Sequence, residues 1–74
     1  MNIINTNVKQ FEEGKKYMFI ADKLEVRSVN KWADIINRQI VNIKMPDLGH
    51  ITMNRPNRTP KQMAILPRFC YEVE

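Results

Sequence analysis

A single cysteine, Cys70, and a single histidine, His50, set the terms on which this chain of 74 residues can fold. A chain this short buries a modest fraction of its surface, so its stability margin is thin. Small domains commonly offset this with disulfides, a structural metal or oligomerisation. One cysteine cannot form a disulfide within the chain. A structural zinc asks for four Cys or His ligands, and the chain has two such residues. Packing or self-association must therefore hold the fold, and no cofactor or metal is expected. The length allows one domain. Residues 1–10 read as a polar arm or edge strand, and residues 11–74 as the domain proper.

A lone cysteine also points to a reducing, cytoplasmic setting. The N-terminal stretch Met1-Asn2-Ile3-Ile4-Asn5-Thr6-Asn7 has neither the basic start nor the apolar core of a signal peptide. No apolar run approaches the roughly 18 residues of a membrane helix. Hydrophobic side chains make up 43% of the chain, which is ordinary for a globular protein and argues against disorder.

Glu13-Gly14 is a turn signal, after which Lys16 to Ile20 reads as a strand. Tyr17 and Phe19 face one way, and Met18 and Ile20 the other. Both faces are apolar, so the strand is expected at the centre of a sheet. From Asp22 the period changes. Asp22 and Glu25 fit a helix capping box, Leu24 supplies an inward anchor, and Trp32, Ile35 and Ile36 form a one-sided stripe. Residues 22–36 are expected to make one or two short helical turns. Asn37-Arg38 is a turn, because Asn tolerates a left-handed backbone. Gln39–Lys44 and His50–Asn54 read as two strands of a hairpin around the turn Met45-Pro46-Asp47-Leu48-Gly49. Arg55–Lys61 is a loop, since two prolines and the lack of apolar residues exclude a helix or central strand. Gln62–Leu66 is a strand stopped by Pro67. Arg68-Phe69-Cys70 is a tight helical turn, and Tyr71–Glu74 a last strand.

Five short strands with a small helical insertion give a mainly β, α+β chain. A small, strongly bent five-stranded barrel suits that count because it closes its own edges. The expected core is Phe11, Tyr17, Phe19, Leu24, Trp32, Ile36, Ile40, Val41, Ile43, Ile51, Ile65, Phe69 and Val73.

The closing pattern Ile65-Leu66-Pro67-Arg68-Phe69-Cys70-Tyr71-Glu72-Val73 resembles the end of Src-homology-3-like small barrels. There a strand ends at a proline, one helical turn follows, and a last strand closes the barrel. The opening Gly14-Lys15-Lys16-Tyr17-Met18-Phe19, the Trp32 segment and the Phe69-Cys70 ending together resemble short phage and prophage proteins of Gram-positive bacteria. Those proteins would carry Trp where this chain has Phe69. The resemblance implies that architecture and a phage-like origin, not an activity; phage proteins of this size often act as modulators or inhibitors of host or defence proteins, and that role is the expectation.

The residues themselves offer little catalytic chemistry. Cys70 lies between two aromatic residues and reads as a small core side chain, rather than as half of a Cys–His pair. His50 follows the turn glycine and reads as a half-exposed strand residue. Glu12-Glu13 reads as a solvated loop edge. Gly14 and Gly49 do not make a phosphate cradle. No enzyme and no small-molecule substrate are expected.

The formal charge is +4, and it is placed unevenly. Between residues 44 and 68, Lys44, Arg55, Arg58, Lys61 and Arg68 face Asp47 alone. The expected partner-binding residues are Asn54, Arg55, Asn57, Arg58 and Lys61 of the loop, with Arg68. Prolines stiffen this loop and reduce the entropy lost on binding. Its cations could meet an acidic protein surface or neutralise nucleic-acid phosphates, or they could simply maintain solubility. A protein partner is preferred. Nucleic-acid barrels add exposed aromatics as stacking platforms, and here only Tyr71 and Phe11 look free for that. No membrane partner is expected. Self-association through an edge strand in Met1–Val8 remains compatible with the sequence.

Overall fold

A computed structural model of the chain describes residues 2–22 and 33–74. Six strands make two antiparallel sheets of three. The first sheet contains β1 (Ile3–Asn5), β2 (Lys16–Phe19) and β6 (Cys70–Val73), in the order β1-β6-β2. The second contains β3 (Asn42–Met45), β4 (Leu48–Met53) and β5 (Lys61–Ile65), in sequential order. One helical turn, α1 (Ala33–Ile36), precedes β3 and packs against β4. A 3-10 turn, Pro67–Phe69, precedes β6.

The expected five-stranded barrel is thus corrected to two separate sheets, with no closed barrel among the described residues. The sheets touch edge to edge at one place. Tyr17 and Phe19 exchange backbone hydrogen bonds with Gln39 and Val41 at 2.9–3.0 Å, around the bridge Met18–Ile40. Beyond Val41 the strand joins β4 instead, and its register with β4 shifts between Ile43 and Met45. On the other side, β1 and β5 are outer strands that do not pair with each other. Closure would need both of these edges to be joined along their length. The polar arm supplies the sixth strand, whose Ile3 pairs with Val73.

The two apolar faces of β2 read in the sequence are both used. Tyr17 and Phe19 enter the main core with Val8, Phe11, Ile36, Val41, Ile51, Met53 and Ile65. Met18 and Ile20 enter a smaller cluster with Val73, against which Tyr71 packs. In its own sheet β2 lies at the edge beside β6, although the segment Arg38–Val41 covers its outer side. Ile40 and Ile43 were expected inside and are exposed. Ile40 alternates with the inward Val41, and every residue of β3 is exposed on that edge strand. Leu24, Trp32 and Glu25, with the helical turns expected before Ala33, lie outside the described residues. Asp22 accepts a hydrogen bond from the Arg38 guanidinium at 3.1 Å.

Several turns differ in detail from the sequence reading. The hairpin turn tightens to Pro46-Asp47, with Leu48 already in β4. Arg38, rather than Asn37, takes the left-handed backbone, at φ 66°. The Asn37 Oδ1 accepts the Ala21 N–H at 2.8 Å and ties the end of β2 to the turn. At the other end, the buried Tyr17 hydroxyl accepts the Glu12 N–H at 2.9 Å, and its ring meets Phe11 edge-on at 5.0 Å between centroids. Tyr17→Phe keeps the ring contact and leaves that N–H without its acceptor. It should cost about 1 kcal/mol in urea unfolding. An unchanged midpoint would show that the hydroxyl does not hold this turn.

Candidate functional site

The loop between β4 and β5 is built by its own residues. Pro56 fixes its backbone angle, and Asn57 takes a left-handed one at φ 58°. The Arg58 N–H reaches the Arg55 carbonyl at 3.4 Å. Proline second and a left-handed residue third is the pattern of a type II turn. Arg55 then folds inward, its Nη2 donating to the Thr59 carbonyl at 2.6 Å. The side chain is half-buried, and its Nε is buried without a hydrogen-bond partner.

Because α1 packs on β4, Ile35 arrives beside Met53. Together with Asn54, Arg55, Pro56 and Arg58 they line a cleft of about 370 Å³. Its floor is apolar, and two guanidinium-bearing side chains stand in its wall. Ile35 is 55% exposed there. Asn57 and Lys61 are exposed on the same loop and at the first residue of β5, outside the cleft. Arg68 stands past the other end of β5, roughly 13 Å of strand away from Lys61. Its guanidinium lies 4.7 Å from the centre of the Phe69 ring. Of the six residues expected to bind a partner, the fold therefore gathers Asn54, Arg55 and Arg58 around one cleft.

The sequence reading missed the apolar half of this site. Ile35 was read as part of an inward stripe with Ile36. A single helical turn with Ala33 and Ile36 both buried turns Ile35 outward, and that i, i+3 pair was the available signal.

The remaining candidates carry less. A larger cleft of about 440 Å³ lies between the Gly14 turn and β3. It holds Glu13 and Lys44 together and so presents no single charge. Cys70 is fully buried, with its Sγ 3.6 Å from the Leu66 carbonyl. His50 lies in the other sheet, half-buried between Asn42 and Ala64, and its Nδ1 has no partner. Glu12 is paired with Lys15. That carboxylate, with Glu72 at 3.9 Å, raises the Lys15 ammonium above its usual pKa. The two aromatics that looked free are packed: Phe11 is in the main core, and Tyr71 lies against the smaller cluster. Among the described residues no group of three or more His, Cys, Asp or Glu could hold a metal ion. Among them, no helix is long and apolar enough to cross a membrane, which leaves strand-built spans untouched.

No family model matches the chain, and neither a search of curated proteins nor one of solved structures found a match.

Proposed function

We propose that this chain is a small binding protein without catalytic activity, which modulates another protein by holding it through the face around Ile35 and the loop 54–61. The observation that carries the reading is the cleft itself, an apolar floor with Arg55 and Arg58 in its wall. Apolar side chains shed water around an anchor residue, while guanidinium groups supply directional, charge-assisted hydrogen bonds. Phosphates would use the cations and leave the exposed Ile35 and Pro56 uncovered. Phe11 is buried in the main core and Tyr71 packs against the smaller cluster, so neither of the two aromatics that looked open stands out as a stacking platform for a single-stranded nucleic acid. Both points favour protein over nucleic acid. The resemblance to short phage and prophage proteins supplies the partner class, a host or defence protein in the bacterial cytoplasm. A single, buried cysteine fits that reducing setting.

The test compares the wild type with an Ile35→Asp/Arg58→Glu variant in quantitative capture from host extract. Both substituted side chains are exposed, so the fold should tolerate them. A stoichiometric protein should be held by the wild type and held at least about tenfold less by the variant. The reading falls if no protein is captured. It also falls if the wild type binds DNA or RNA with a steep salt dependence that Ile35→Asp alone leaves intact.

A further inference from the structure

Resting on that reading, we infer that the cleft takes an acidic segment of the partner protein in which a Leu- or Phe-sized side chain sits next to a carboxylate. Three features of the site define this occupant. The floor of Ile35, Met53 and Pro56 asks for an apolar side chain, and 370 Å³ leaves room for one together with a small polar group. The loop 54–61 carries Arg55, Arg58 and Lys61 and no acidic residue, so its charge complements an acid. Finally, the Arg55 guanidinium is already anchored on the Thr59 carbonyl at 2.6 Å, so little ordering remains to be done on binding.

The occupant is better sought in another protein than in a second copy. In Phe11-Glu12 and Glu72-Val73 the apolar member is buried in the core. Met45-Pro46-Asp47 at the hairpin tip is exposed and could enter a neighbour's cleft. Such a head-to-tail contact closes into a ring only at particular rotations and otherwise strings molecules into chains.

The test titrates the isotope-labelled protein with a blocked hexapeptide of acidic residues around one leucine. Two controls replace the leucine by alanine, or the acids by their amides. The acidic leucine peptide should shift the Ile35 and Met53 methyl signals and the Arg58 side-chain signals. Affinity should fall about tenfold for either control peptide and for Arg58→Gln. Equal binding of all three peptides overturns the inference. So does an unmoved Ile35 or Met53 signal at millimolar peptide, or shifts that grow with protein concentration in the absence of peptide. If the peptides fail while partner capture still depends on Ile35 and Arg58, this inference fails and the binding role stands. If capture fails as well, both fall.

Discussion

Phe19→Ala should remove about 3–5 kcal/mol of folding stability at room temperature, a large part of what holds the chain together. Phe19 is 2% exposed and belongs to the main core. Its backbone binds Gln39 and Arg38 on one side, and it pairs with Cys70 of β6 on the other. Truncating a buried Phe costs about 3–5 kcal/mol, from lost transfer energy and the cavity left behind. A chain of 74 residues has a total stability of about 4–11 kcal/mol on typical per-residue figures. The loss is therefore a large part of the whole, and with Cys70 as its one cysteine the chain has no internal disulfide to restrain the unfolded state. Urea unfolding followed by circular dichroism measures this directly. Ile3→Ala is the control: Ile3 is 49% exposed, and its truncation should stay within about 0.5 kcal/mol. A loss below about 1 kcal/mol for Phe19→Ala would mean that the core is not organised around this ring.

Gly49→Ala should cost about 1–3 kcal/mol, for the opposite reason: there is no room. Gly49 lies in β4, the central strand of the second sheet. A Cβ built on it would collide with the Val41 Cγ1. It would also stand 3.0 Å from the Asn42 carbonyl oxygen and 3.1 Å from the Phe11 ring. Val41 is branched at its β-carbon and buried, so its methyl has no empty rotamer to move into. The glycine lets two core side chains lie directly on the strand backbone. Val41→Ala should relieve the collision, and the double variant should be less destabilised than the two single losses added together. A double-mutant cycle reads this coupling. Strict additivity would show that Gly49 is present for another reason.

Local rules carried the sequence reading a certain distance. Alternation placed β2 and the hairpin, and Pro67 marked the 3-10 turn, because each depends on neighbours a few residues apart. The barrel did not follow, because closure depends on which strand edges meet. Nothing in Ile3–Asn5 or Lys61–Ile65 records that their outer edges stay apart. Ile40 and Ile43 are as apolar as Ile51, and only their place on an edge leaves them exposed. The binding face divides along the same line. Its cations were legible as a run, from Arg55 to Lys61. Its apolar floor was not, since Ile35 and Met53 meet only through the packing of α1 on β4.

The place of β6 has a consequence for how the molecule comes into being. Cys70–Val73 separates β1 from β2 and pairs with both, yet a ribosome makes it after either. Until residue 73 has been added, Ile3–Asn5 and Lys16–Phe19 have no partner in their sheet, while β3, β4 and β5 can already pair as successive hairpins. The second sheet therefore has the opportunity to form before the first. Closing Ile3 onto Val73 spans nearly the whole chain, the kind of distant pairing that slows folding. In that interval Met18 and Ile20, whose cluster is completed by Val73 and Tyr71, are exposed to other chains, and chaperones have their opportunity to act.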